Sequence, residues 1–254
     1  MFDLNAVPYI PARNFTRGRY QTKQPTLIVI HDMEAGEYST TAESCANYFA
    51  GLNAPMASAH YACDNDSTVC CVKPEDTAWH TGENVTNNCG IGIEQAGFAN
   101  QSYQQWTDEY SMQMITGQVA PLVAALCGRY GIPVRFLGAA DLRAGDYNGI
   151  TSHREITFAY QVPGGHTDPG PDYPFDVLFT AVNQILNPTN EGDDEMKSVI
   201  LIDPRDGKQW HVFGNTKVHL TDMDQVNLLL FLGVKQVDKA PVAWIDGCAT
   251  IPKR

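Results

Sequence analysis

The sequence predicts an α/β domain followed by a small α+β domain. Three observations carry this: short β-branched apolar runs, longer stretches whose apolar side chains recur at helical spacing, and one acidic Pro- and Gly-containing segment between the two parts. The run Leu27-Ile28-Val29-Ile30 is bounded by Pro25 and ends at His31, so it reads as a buried strand delivering a histidine at its carboxyl end. In Gly90-Ile91-Gly92-Ile93 the alternation puts both isoleucines on one face and leaves Gly92 and Glu94 on the other. Thr40 with Glu43 forms a capping box for a helix to about Ala50, with Ala42, Cys45 and Phe49 on one side. Thr107, followed by two acids, opens a longer helix whose stripe Met112, Ile115, Val119, Leu122 and Leu126 runs to Gly128, with a kink expected at Pro121. A third helix starts at Pro174 and carries Phe175, Leu178, Phe179, Val182 and Ile185.

Asn187 to Glu195 reads Asn-Pro-Thr-Asn-Glu-Gly-Asp-Asp-Glu, with no apolar side chain other than proline. It divides the chain into a first domain over residues 1–187, a linker over 188–196 and a small domain over 197–254. In the small domain, Val199-Ile200-Leu201-Ile202, a turn at Asp203–Gly207 and Gln209-Trp210-His211-Val212-Phe213 suggest a hairpin meander. A helix capped by Thr221 runs to about Leu232, and further strands surround Val237 and Val242–Ile245. A core this small gains from association with other copies. Trp210 and Trp244 fit either a core role or an exposed binding role. Met196 directly follows a stretch that purine-rich codons would encode, so it reads either as an internal start producing residues 196–254 alone or as an ordinary linker methionine.

With 254 residues, 43% of them apolar, the chain can bury one substantial core plus an annex, and nothing in it reaches the unbroken apolar length of a membrane helix. Net charge −12 argues against nucleic acid, whose phosphates demand clustered Lys and Arg. The charge is uneven, net −10 up to Thr189 and −2 after it. The first eight residues lack a basic stretch followed by an apolar one, so no secretory signal is expected. Seven cysteines cannot all pair within a monomer and are expected as free thiols. Cys63 and Cys70, which flank the turn-rich Asp64-Asn65-Asp66-Ser67, could face each other across a hairpin.

Chemistry concentrates on His31, His153 and Asp168. His153 follows the turn-like Asp146-Tyr147-Asn148-Gly149, and Asp168 lies in Gly165-His166-Thr167-Asp168-Pro169-Gly170, too rich in Gly and Pro for helix. Two neutral imidazoles and one carboxylate are a donor set that holds Zn²⁺ while leaving a fourth position open, the catalytic pattern rather than the structural one. Neither HExxH nor CxxC is present, so spacing alone leaves open that the three are unrelated. Glu94, taken alone, fits a solvent-facing carboxylate at a strand end equally well.

Six strings occur here in one order: Ile28-Val29-Ile30-His31-Asp32-Met33-Glu34, Ala57-Ser58-Ala59-His60-Tyr61, Ala78-Trp79-His80-Thr81-Gly82, Gly90-Ile91-Gly92-Ile93-Glu94, Gly149-Ile150-Thr151-Ser152-His153 and His166-Thr167-Asp168-Pro169-Gly170-Pro171. Together, over roughly residues 8 to 187, they resemble the zinc-dependent N-acetylmuramoyl-L-alanine amidases of the peptidoglycan-recognition and phage-lysozyme type, above all those of phages infecting actinobacteria. The resemblance implies a central mixed sheet flanked by helices, zinc at the floor of a groove, and cleavage of the bond joining the muramic acid lactyl group to L-alanine in peptidoglycan. It assigns the metal ligands to His31, His153 and Asp168 and the proton-shuttling carboxylate to Glu94.

The resemblance places His60, Trp79 and His80 along the substrate groove, although a Trp-His pair between strand and turn is also an ordinary core edge. Two departures stand out. Many relatives carry lysine where His166 stands here, so His166 is expected either to stabilise the developing oxyanion or to ligate the metal itself. Phage lysozymes carry tyrosine where this chain has Ala59, which argues against tyrosine-assisted chemistry. The implied setting is a phage endolysin made in the host cytoplasm and released to the wall by a holin, with a wall-targeting or self-associating tail. A non-catalytic wall-binding module and a zinc peptidase acting within the stem peptide remain as alternatives.

Overall fold

The structure, a computed structural model, describes residues 2–162, 164–188, 198–202, 208–213, 216–220, 235–237 and 249–250. The chain separates into two compact units, Met1–Pro174 and Phe175–Arg254, so the helix beginning at Phe175 falls with the second.

The first unit is built on a five-stranded sheet in the order β3-β2-β4-β1-β5, with β1 at Leu27–Ile30, β2 at Tyr61–Cys63, β3 at Thr68–Cys70, β4 at Gly90–Gln95 and β5 at Gly149–Ser152. All pairs are parallel except the β2–β3 hairpin, which makes the sheet mixed, as expected. Every residue of β1 is buried, because a strand central to a largely parallel sheet has both faces covered. The faces divide by parity. Leu27 and Val29 pack with Cys89 against Leu142 of α6 (Ala139–Arg143) and Ile156 and Ala159 of α7 (His153–Tyr160). Ile28 and Ile30 stand in register with Ile91 and Ile93 on the other face, all four without solvent exposure. A second cluster joins Ala42, Ala46 and Phe49 of α1 (Thr41–Ala50) to Ala62 and Val69 of the hairpin.

Local details depart from expectation for identifiable reasons. Helix α1 begins where the Thr40–Glu43 box would place it, but Thr40 makes no side-chain cap. The cap comes instead from Asp64 in the β2–β3 turn, whose Oδ2 accepts from the Ala42 N–H at 3.0 Å. The long helix after residue 107 is capped by Asp108, whose Oδ1 accepts from Ser111 N–H at 2.9 Å, and runs in three segments. They are an α-helix over Glu109–Met114, a π turn over Ile115–Val119 and an α-helix over Ala120–Tyr130. Pro121 has no N–H and its ring crowds the preceding turn; the widened turn absorbs this, with the Ala120 N–H donating to Ile115 O. The kink is therefore a π bulge. Cys63 is paired with Thr68 and Cys70 with Tyr61, so the two cysteines do not face each other, and all described cysteines are free thiols.

In the second unit, α8 (Phe175–Leu186) accompanies a sheet in the order β10-β8-β7-β6-β9. Strands β6 (Ser198–Ile202), β7 (Gln209–Phe213) and β8 (Thr216–Leu220) form the expected antiparallel meander, and β9 (Lys235–Val237) runs parallel to β6. The last strand, β10, is Ala249–Thr250. His211 is buried, its Nε2 3.3 Å from Thr180 Oγ1, and burial pushes its pKa down to about 3. Trp210 is half-buried. The linker from residue 189, Met196, the turn at 203–207, the helix at 221–232, Trp244 and Cys248 lie outside the described residues. No helix among the described residues is long and apolar enough to cross a membrane.

Candidate metal centre and active site

Strand register builds the centre. Ile30 pairs with Ile93 on one side and Ser152 on the other, so the next row brings Glu94, His31 and His153 together at the carboxyl ends of β4, β1 and β5. The His31 N–H, donating to Ile93 O at 2.9 Å, carries the ladder into that row. Residues two apart on a strand share a face, so Glu94 and His31 lie on the side of Gly92 and Val29. Neighbouring parallel strands are about 4.8 Å apart, which puts the three side chains within reach of one another. His153 is also the first residue of α7, whose N-cap Ser152 accepts from Glu155 N–H.

Asp168 closes the group from a distant loop. Its Oδ2 lies 2.9 Å from His31 Nδ1 and its Oδ1 3.0 Å from His153 Nδ1. Its backbone oxygen accepts from Arg154 N–H at 2.9 Å, tying the loop to the start of α7. Relative exposures of 2% for His31, 6% for His153 and 5% for Asp168 leave the three almost sealed. Burial alone would raise the Asp168 pKa, but hydrogen bonds from His153 and His31 outweigh it and hold the group below the usual carboxylate range. Burial likewise lowers the His31 pKa, favouring the neutral ring. One ligand atom from each of the three lies within 4.8 Å of the others, so the group could hold a metal ion. Two imidazole nitrogens and one carboxylate oxygen converging in a buried group fit Zn²⁺.

Gly170 makes this loop approach possible. Its φ is +89°, and a Cβ there would run into the backbone carbonyl of Ala99. A left-handed alanine costs about 1–2 kcal/mol and overpacking about 1–3 more. Gly170→Ala is therefore expected to lose about 2–5 kcal/mol of stability, read as a lowered denaturation midpoint of the metal-free protein.

Glu94 is partly buried; burial raises its pKa well above the usual value, and the charges of Asp168 and Asp32 add to the effect. Asp32 follows His31 and is itself buried, which pushes its pKa up to about 8. His166 stands beside the trio rather than in it. Its side chain is 69% exposed, its Nδ1 is 3.9 Å from Asp168 Oδ1, and its ring stacks on His153 at 4.9 Å between centroids.

The three groove candidates differ in placement. Trp79 is half-buried, with its Nε1–H donating to Thr16 Oγ1 at 2.9 Å. His60 has no solvent exposure: its Nδ1 accepts from Gly92 N–H at 3.0 Å, and its Nε2 faces Asp76 O at 3.3 Å and the Arg19 guanidinium at 2.9 Å. Both nitrogens of the His60 ring are thus engaged inside the protein. His80 is buried behind the centre, its Nδ1 3.0 Å from His31 Nε2. Sequence reasoning missed this contact. It also missed Asn87, whose Oδ1 accepts from the N–H groups of His80 and Thr81, and Arg19, which donates to the carbonyls of Pro74, Asn88 and Gly90. No local pattern marks any of these, because each acts through a partner remote in sequence or through a turn.

The sequence model of the family described as N-acetylmuramoyl-L-alanine amidase (Amidase_2) matches residues 21–171. Among solved structures, a selenomethionine derivative of AmpD aligns with a TM-score of 0.52 at 22% identity, over 72% of this chain and 99% of that one. The hydrolase AmiA of Staphylococcus aureus, in complex with its ligand, aligns with a TM-score of 0.52 at 15% identity, over 73% of this chain and 87% of its own. Both share the fold, a mixed sheet flanked by helices. No curated protein sequence matches the chain. The matched region takes in more than half of the chain, including His31, Glu94, His153 and Asp168, and on that footing the chain belongs to the N-acetylmuramoyl-L-alanine amidase family.

Proposed function

We propose that this protein is a zinc-dependent amidase that cuts the bond between N-acetylmuramic acid and L-alanine in peptidoglycan, serving as a phage endolysin. The observation that carries the reading is the convergence of His31, His153 and Asp168 in one buried group, with Glu94 on the neighbouring strand in the same row. When bound by these three, zinc supplies Lewis acidity to the scissile carbonyl and to a water in the open position. Glu94 accepts the proton of the attacking water at its carboxylate and returns it to the leaving nitrogen of L-alanine. Its burial, with the charges of Asp168 and Asp32 adding to the effect, favours the protonated form once a proton arrives, which suits the second half of that task. His166, exposed at the rim, donates a hydrogen bond to the oxygen that gains charge. Trp79 offers the half-buried aromatic surface against which sugar or stem peptide lies.

The segment after the 188–196 linker is assigned to wall targeting or self-association, and release to the wall to a holin, both on the resemblance to actinobacteriophage lysins. Mass spectrometry of digested wall tests the reaction. Free amino-terminal L-alanine is the expected product; a new amino terminus elsewhere in the stem peptide, or no product, would overturn the assignment.

A further inference from the structure

We propose that Thr16 is a positioning residue of the substrate groove, its hydroxyl oxygen setting the plane of the Trp79 indole before substrate arrives. The inference rests on Trp79 being a substrate contact, as proposed above, and adds what holds its ring.

Trp79 has one polar atom at the edge of its ring, and an indole Nε1–H can only donate. It donates to Thr16 Oγ1 at 2.9 Å, across 63 positions of sequence. Both residues are half-buried, so each keeps part of its surface in solvent. The torsion that turns an aromatic ring about its Cβ–Cγ bond is broad and roughly two-fold, so a half-buried indole is not oriented by burial alone. The bond to Thr16 makes the choice, because turning the ring over carries the N–H away from its acceptor.

The acceptor is itself held. Thr16 and Thr77 exchange two backbone hydrogen bonds, the Thr16 N–H donating to Thr77 O at 2.9 Å and the Thr77 N–H to Thr16 O at 2.8 Å. Thr77 lies two residues before Trp79, is 2% exposed, and donates from Oγ1 to Gly18 O at 2.8 Å. The Gly18 N–H donates to Asp76 Oδ1 at 2.8 Å, and Arg19 reaches the carbonyls of Pro74, Asn88 and Gly90. Trp79 is also tied to Ser58, whose N–H donates to Trp79 O at 2.9 Å and whose Oγ accepts from Trp79 N–H at 3.1 Å. Backbone and ring edge are thus both anchored, which leaves the faces of the indole to meet a ligand. The next residue, His80, stands against His31, so the anchored segment runs past the metal centre.

A contact surface whose orientation is set in the free protein gives up less freedom on binding, and the gain appears in affinity. Thr16 lies ahead of residues 21–171, so the acceptor comes from a part of the chain that the family pattern does not cover.

The test uses the full chain with ¹⁵N-labelled tryptophan and a soluble disaccharide-peptide fragment of peptidoglycan. The Trp79 indole signal is identified by its loss in Trp79→Phe. Thr16→Val keeps the β-branched shape and both backbone bonds to Thr77 but removes the acceptor. It is expected to shift that signal, to speed its exchange with solvent, and to lower kcat/KM about 3–10-fold, chiefly through KM. Thr16→Ser restores an oxygen and is expected to bring signal and KM back toward wild type. Wild-type KM in Thr16→Val, or no recovery in Thr16→Ser, would overturn the proposal. A fragment that wild type cleaves without any movement of the Trp79 signal overturns it too, leaves the amidase reading intact, and decides alone if Thr16→Val does not fold. A fragment that binds at Trp79 in a Thr16-dependent way, with no amino-terminal L-alanine released, supports this proposal while removing the enzymatic one.

Discussion

His153→Ala is expected to purify without stoichiometric zinc and to lose about 10³-fold or more of its wall-hydrolysing activity. Metal polarisation contributes several kcal/mol of transition-state stabilisation, and each 1.36 kcal/mol is tenfold in rate. The variant leaves Asp168 in contact with His31, so the sheet and its loops should keep their circular dichroism while metal content falls. Zinc analysis and turbidity clearance of purified wall, run on the same preparations of wild type and variant, make the comparison. Full turnover by the variant, or by wild type after exhaustive chelation, would exclude the metal from the reaction.

Glu94→Gln separates proton transfer from metal binding. Glutamine keeps the shape and removes the base, so turnover should fall about 10²–10⁴-fold while zinc content and cosedimentation with wall persist. Stability moves the other way. A carboxyl group whose pKa is raised in the folded state weakens folding at pH above its unfolded value, because the unfolded chain releases the proton more readily. Metal-free Glu94→Gln should therefore unfold at a higher temperature than wild type at pH 7, and the difference should vanish as pH falls below about 4.5, where both states hold the proton. An equal loss of zinc and activity would instead make Glu94 part of the metal site.

Patterns confined to a few neighbouring residues were readable from the chain. The all-apolar β1 and the alternating β4 announced themselves, and with them the rows on which His31 and Glu94 stand. Strand β5 was not readable, since Gly149-Ile150-Thr151-Ser152 has one large apolar side chain and becomes a strand by pairing along β1. Caps failed for a related reason: the α1 cap is Asp64, 22 residues away from the N–H it serves, and a local box cannot foresee it. Within the site, residue type and resemblance were enough for the candidate ligands, whereas burial decided the histidines around them. His60 and His80 look alike in sequence, yet one is locked in the core against Gly92 and Arg19 and the other backs His31. Only the fold could tell them apart.

The contact between Asp168 and His31 joins positions 137 residues apart. An ion held there would clasp the late-synthesised end of the catalytic unit to its earliest strand, so a ribosome must deliver nearly the whole unit before a complete coordination sphere exists. A nascent chain would lack the third donor of the group until synthesis has passed that point.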